Sequence, residues 1–255
     1  AHSYGYDGIA FRGVAGELDL AKVPEFAPAR RVETRRRLAD QNLRPEMMLA
    51  STRLVLASAG EREAGLASAK EHIDIAADLG APFVRVFGGP LPDGCTREQA
   101  RDWAVEGLRS LGDYAAGTGV VPLLETHDDF SKTDRIAEVL ELADHPHVGI
   151  LWDIHHPFRI GGERIADSWA RVSKWTRHCD IKDSRVDPTA RLGYRYVLIG
   201  EGETPLTEAL QLLKAARYHG SYTFEWEKKW HPELQEPEIA LPDYIAKMKK
   251  FGQEL

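Results

Sequence analysis

Residues 120–153 read VVPLLETHDDFSKTDRIAEVLELADHPHVGILWD and hold one full repeat of the pattern that governs the chain. An apolar run, Val120 to Glu125, ends on an acid. A helical stretch, Lys132 to Ala143, follows, and a second apolar run, Val148 to Asp153, again ends on an acid. Short apolar runs on either side of a helix are the sequence form of a βαβ unit, whose strands are parallel and buried on both faces.

The same alternation extends in both directions. Upstream, strands are expected at Gly8 to Arg12, Leu54 to Ala57 and Phe83 to Phe87; downstream, at His178 to Ile181 and Tyr222 to Trp226. Helices are expected at Val32 to Gln41, Glu61 to Leu79, Arg97 to Gly117, Ile165 to Val172, Leu206 to Tyr218 and Pro237 to Lys250. Gly80 and Gly119 stand where helices stop, and Thr204 with Pro205 where one starts. This gives seven βα units, one short of the eight that close a TIM (β/α)8 barrel. The opening Gly5-Tyr6-Asp7-Gly8-Ile9 reads as a helix exit running into a strand. The expectation is therefore a single-domain α/β barrel over residues 1–255 whose first βα unit precedes residue 1. An open doubly wound sheet is the alternative, since it tolerates any strand number. Ser184 to Glu203 is the longest irregular segment, expected as a loop over the active-site face.

Composition narrows the function. The 255 residues carry 33 Lys and Arg against 40 Asp and Glu, a net charge of −7, which argues against broad affinity for nucleic-acid backbones. No apolar run approaches the roughly 20 residues that span a bilayer, so no membrane role is expected. Cys95 and Cys179 lack any metal-finger spacing, which argues against a disulfide framework or a structural zinc site. A reducing, cytoplasmic setting is the expectation, and a homo-oligomer is compatible with everything read so far.

Four late strands end in carboxylates: Glu125, Asp153, Asp180 in RHCDIKDS, and Glu225 in SYTFEWEKKW, at spacings of 28, 27 and 45 residues. In a parallel barrel the C-terminal strand ends share one mouth, so these acids meet. Like carboxylates at short range drive up each other's pKa unless a cation neutralises them, and a divalent metal follows. Histidines lie beside them: His127, His155, His156 and His178. Alternation puts His178 and Asp180 on one strand face. Carboxylate and imidazole donors without thiolate suit Mn, Mg, Co or Zn in an open site.

These stretches, LLETHDDF (123–130), GILWDIHHP (149–157), HCDIKDS (178–184), IGEGETPL (199–206) and YTFEWEKKWHPEL (222–234), resemble the sugar phosphate isomerase/epimerase superfamily of xylose-isomerase-like and AP-endonuclease-like TIM barrels. The resemblance implies that Glu125, Asp153 and Glu225 hold one divalent metal and that His156, the histidine of a D-x-x-H, lies near substrate. Where the superfamily commonly reads H-x-H-x-K-D, this chain reads HCDIKD. Asp180 therefore stands at the usual ligand histidine's place, and three outcomes stay open. Asp180 binds the metal through oxygen, His178 substitutes from one position deeper, or the site is incomplete.

The activity implied is sugar or sugar-phosphate isomerisation or epimerisation, with Glu125 and Glu225 as bases on either side of a carbon and the metal holding the enediolate oxygens. His127, His156, Arg85, Lys182 and Arg185 are the expected contacts to a small carbohydrate. The structural alternatives are salt bridges for the cations and core packing for neighbouring aromatics. His72, mid-helix, reads as structural. Dehydration of a cyclic polyol by the same residues is the nearest enzymatic alternative, and a non-catalytic sugar-binding barrel the nearest alternative outside enzymes. Phosphodiester cleavage would call for further histidines on early strands, where this chain offers Phe11, Arg12 and Arg53 instead.

Overall fold

The computed structural model describes residues 1–254. In chain order the elements are β1 (Gly8–Phe11), α1 (Arg31–Asp40), β2 (Arg44–Arg53), α2 (Ala59–Leu79), β3 (Phe83–Phe87), α3 (Arg97–Ala115), β4 (Val121–Glu125), α4 (Thr133–Ala143) and β5 (Gly149–Asp153). The short α5 (His155–Arg159) and α6 (Ile165–Val172) follow, then β6 (Thr176–Ile181), a hairpin of β7 (Asp183–Val186) and β8 (Tyr194–Val197), α7 (Leu206–Ala215), β9 (Tyr222–Phe224) and α8 (Pro237–Glu254). Short 3₁₀ turns fill part of the connections.

Seven strands form one all-parallel sheet in the order β1-β2-β3-β4-β5-β6-β9, curled into a nearly closed barrel inside the helices. The fold is thus the expected TIM-type barrel with seven strands where the usual form has eight. The end strands β1 and β9 do not pair with each other among the described residues. Between them lies a cavity of about 530 Å³ whose lining includes Tyr6, Tyr222, Phe224 and Tyr244.

Alternation along the strands sorts the core into two layers. Met47, Leu49, Leu123 and Leu151 pack together inside the barrel, with Phe83 and Val121 against them. Their sequence neighbours Met48, Ala50, Leu124, Ile150 and Trp152 belong to the layer between strands and helices. Trp152 is fully buried there and donates its indole N–H to Ser168 Oγ on α6 at 3.0 Å. Helix starts follow local chemistry: Ser58 accepts from the Glu61 N–H, and Thr96 and Gln99 form a reciprocal capping box. Gly88, after β3, has no substitute, because a Cβ there would lie 2.1 Å from the Phe130 ring.

Two expectations are corrected. The second strand is Arg44–Arg53, not Leu54 to Ala57. Its segment Glu46-Met47-Met48-Leu49-Ala50 is built of helix formers, and pairing with β1 and β3 overrides that propensity. Leu54 and Val55 only extend it, donating to Phe87 and Gly88 carbonyls at 2.9 Å. The segment 184–203 is no plain loop either. Asp183–Val186 pairs antiparallel with Tyr194–Val197, and Asp183 accepts backbone N–H bonds from Ser184, Gly200, Gly202 and Thr204. His72 is buried on α2 with Nδ1 2.8 Å from the Ser68 carbonyl, a structural position as expected. No helix among the described residues is long and apolar enough to cross a membrane.

Because the inner layer is small and closely packed, truncating it leaves a cavity. Leu123→Ala, at a fully buried position, is expected to lower the free energy of unfolding by about 2–5 kcal/mol. Leu142→Ala, where the side chain is 44% exposed, should change it by no more than about 0.5 kcal/mol. Urea unfolding followed by circular dichroism checks both.

Candidate active site

Continuing the inward face of each strand by two residues leads from hydrocarbon to charge. Leu123 is followed by Glu125, Leu151 by Asp153, His178 by Asp180 and then Lys182, and Thr223 by Glu225 and then Glu227. β3 contributes Arg85 in the same way after Phe83. Register fixes the neighbours, with Asp153 directly opposite Asp180 across β5 and β6.

One oxygen from each of Glu125, Asp153 and Glu225 lies within 4.8 Å of the others, the spacing of a shared ion. Glu125 is 1% exposed and Asp153 fully buried, while the Glu225 side chain is 26% exposed and opens to solvent. Two further triads of possible donors are Glu125, His127 and His156, and Asp153, His155 and His156. Neither Asp180 nor His178 enters a group of this kind among the described residues. Asp180 Oδ1 sits 3.7 Å from His178 Nε2, and that nitrogen lies 2.7 Å from Thr223 Oγ1.

Each acid has a different neighbourhood. Arg85 is 2% exposed, places Nε 3.0 Å from Glu125 Oε2, donates to the Ala50 carbonyl at 2.9 Å and stacks over Phe87. Asp153 Oδ1 accepts the backbone N–H groups of His155 (2.9 Å) and His156 (3.3 Å), which turns the strand end into α5. His156 Nδ1 is 2.8 Å from the Thr126 carbonyl and 3.0 Å from Asp153 Oδ2. Lys182, 2% exposed, reaches Asp153 Oδ2 (2.8 Å), Glu225 Oε2 (2.5 Å) and Glu227 Oε1 (2.9 Å). Glu227 also accepts from the Tyr196 hydroxyl at 3.0 Å.

Burial sets the electrostatics. It pushes Glu125 up to about 7 despite Arg85, and pushes Asp180 well above the carboxylate range, with Glu225, Glu125 and Asp153 adding to the effect. Burial opposes charge on Lys182, yet Asp153, Glu225 and Glu227 outweigh it and raise its pKa. On Glu227 burial is likewise outweighed, here by Lys182, and its pKa falls. His127 is raised: burial works against its charge, but Asp128, 3.1 Å from Nδ1, and Glu125 prevail.

Several expected contacts are placed otherwise than the sequence suggests. Arg85 and Lys182 are turned to carboxylates of the chain itself. Arg185 is exposed on the hairpin and donates to the Glu201 carbonyl, away from the carboxylate group. His155 supports that hairpin, with Nε2 2.7 Å from Ser184 Oγ. His127 and His156 do meet at the mouth, their rings 4.6 Å apart and edge to face. Sequence reading missed Glu227, although its place two residues after Glu225 on one strand face was the available signal.

A family described as xylose isomerase-like TIM barrel matches residues 1–248. The chain belongs to this family. Among solved structures it is similar to the IOLI protein with a bound zinc atom, at 17% identity and TM-score 0.79, over 99% of this chain and 90% of that one. A xylose isomerase-like TIM-barrel protein from Mycobacterium smegmatis in complex with magnesium is 22% identical at TM-score 0.72, over 99% and 84%. The 3-keto-D-glucoside 4-epimerase of E. coli is 17% identical at TM-score 0.76, over 98% and 91%. At these identities the likeness is one of fold. None of the curated proteins matches the chain in sequence.

His178 gives a pH prediction. Burial lowers its pKa to about 4, so it is neutral in the fold and protonates more readily once unfolded. Below its unfolded value near 6.5 the unfolded state binds the extra proton, so the stability due to this group is lost as pH falls from about 6.5 towards 4. His178→Gln should remove on the order of 3 kcal/mol of that acid sensitivity. Urea unfolding at pH 7.0 and 4.5 for both proteins measures it.

Proposed function

We propose that this xylose isomerase-like barrel is a divalent-metal-dependent sugar isomerase or epimerase that moves a proton between a substrate carbon and a carboxylate of the barrel mouth. The observation that supports this is the convergence of Glu125, Asp153 and Glu225 at the C-terminal strand ends, where enzymes of this architecture work.

The donor set fits a divalent ion. Five carboxyl groups, Glu125, Asp153, Asp180, Glu225 and Glu227, face three cations, Lys182, Arg85 and the partly buried Arg12, so that all five when ionised exceed the cations by two charges, which a divalent ion would balance. Glu125 Oε1 and Asp180 Oδ1 are buried without a hydrogen-bond partner. Groups so placed are costly unless a cation satisfies them. All-oxygen donors beside imidazole suit Mg, Mn, Co or Zn, and solved relatives hold magnesium or zinc. Glu125, Asp153 and Glu225 would be the ligands, with Asp180, on β6, beside Asp153. A divalent ion bound there supplies Lewis-acid stabilisation of negative charge on substrate oxygens.

The chain's own residues then divide the remaining work. Arg85 pairs with one oxygen of Glu125 and leaves the other buried without a hydrogen-bond partner, free to accept a proton. Glu225, more exposed and directly after β9, approaches a bound sugar from another strand end. Two carboxylates on separate strands are what deprotonation on one face of a carbon and reprotonation on the other require. His127, held towards its cationic form by Asp128 and Glu125, donates to a substrate hydroxyl. That same charged imidazole favours a second reading, dehydration of a polyol, in which it protonates a departing hydroxyl. The substrate proposed is a small carbohydrate bearing a carbonyl; one solved relative is itself a keto-glucoside epimerase.

Incubating the Mn²⁺-loaded protein with a panel of ketohexoses in D2O tests the reading. Deuterium should enter at the carbon beside the carbonyl, seen by NMR and mass spectrometry. Glu125→Gln and Glu225→Gln should each reduce epimer formation by about 100-fold or more. Conversion without label would contradict proton transfer in favour of a hydride shift, and loss of water from the product would establish the dehydratase reading.

A further inference from the structure

Lys182 is the least expected member of the cluster, because its ammonium lies on two of the carboxylates that also form the triad. Nζ is 2.8 Å from Asp153 Oδ2 and 2.5 Å from Glu225 Oε2, and both residues belong to the group whose oxygens converge within 4.8 Å. With its side chain 2% exposed, Lys182 has no solvent to retreat into. A dication and an ammonium cannot hold the same two carboxylates at full strength in a low-dielectric site, since like charges brought that close repel each other strongly there.

The third partner of Lys182 offers a way out. Glu227 Oε1 is 2.9 Å from Nζ, lies outside the convergent triads, and is held in place by the Tyr196 hydroxyl at 3.0 Å. Tyr196 also presents its ring face to Nζ, 5.6 Å from the centroid. An ammonium that gives up Asp153 and Glu225 thus keeps one carboxylate and one aromatic face without leaving the barrel.

We propose that Lys182 is a built-in competitor of the metal: it bridges Asp153 and Glu225 as an internal counter-cation, and metal binding displaces it onto Glu227 and Tyr196. The site is then stable without an ion, and its affinity for one is set by an exchange of cations on the same two carboxylates. No atom of Lys182 contacts substrate in this role; it is a positioning residue that tunes the metal site. The inference rests on the metal reading given above, and the test separates the two.

The measurement is Mn²⁺ affinity at pH 8, by competition with a fluorescent chelator, for the intact wild-type protein, Lys182→Met, Glu227→Gln and the double variant. Removing the competitor should tighten binding by roughly tenfold or more. Removing its alternative partner should weaken binding several-fold, and this penalty should shrink in the Lys182→Met background, because Glu227 acts through the lysine. Thermal melts provide an independent reading. Lys182→Met should melt lower than wild type in EDTA and gain more from Mn²⁺, a gain that general damage to the fold does not produce. Unchanged or weaker Mn²⁺ binding by Lys182→Met, with wild type binding one ion, would overturn the competition while leaving the metal site standing. No Mn²⁺ binding by either protein would overturn both.

Discussion

Five carboxyl groups gathered at the end of a hydrocarbon-filled barrel constitute an electrostatic problem, and much of the arrangement around them answers it. Below them Leu123, Leu151, Met47 and Leu49 exclude water. Around them Arg85 forms an ion pair with one oxygen of Glu125, and Lys182 spans Asp153, Glu225 and Glu227. These two cations are buried, so their charge is not screened away, and they hold the acids in a fixed geometry. What they leave without a partner, the Oε1 of Glu125 and the Oδ1 of Asp180, is the part of the site that suits a further cation.

The hairpin of β7 and β8 belongs to the same economy of charge. It follows β6 directly, is pinned by the four backbone N–H groups that Asp183 accepts, and delivers Tyr196 to Glu227. His155 and Arg159 from α5 bind its Ser184, so the turn that follows Asp153 and the strand that presents Lys182 are tied together. Positions of Asp153 and Lys182 are therefore not independent, which keeps an acid and its counter-cation in register.

The repeat of strand and helix was legible because fully buried parallel strands are plain apolar runs, and the acids at their ends stood out as the first polar residues on an inward face. Glu125, Asp153 and Glu225 were readable for that reason. β2 was not, because Met47, Met48, Leu49 and Ala50 carry no strand propensity and only pairing on both sides makes them a strand. The hairpin was hidden by its polar, turn-rich composition. The roles of Arg85 and Lys182 were hidden for a different reason. Both read as cations for a substrate or for a salt bridge, and only the through-space distances to acids 40 and 43 residues away show which acids engage them. Asp180, expected among the metal ligands at the place where the resembled superfamily commonly has a histidine, faces the cluster electrostatically but stands outside its convergent oxygens.

The central claim is that Glu125, Asp153 and Glu225 form one cation site. Anomalous diffraction at the manganese edge from crystals grown with Mn²⁺ tests it most directly. The account predicts a single strong anomalous peak within bonding distance of all three carboxylates, with the Lys182 ammonium moved onto Glu227. A peak confined to surface acids, or none at the barrel mouth while Lys182 still bridges Asp153 and Glu225, would contradict it.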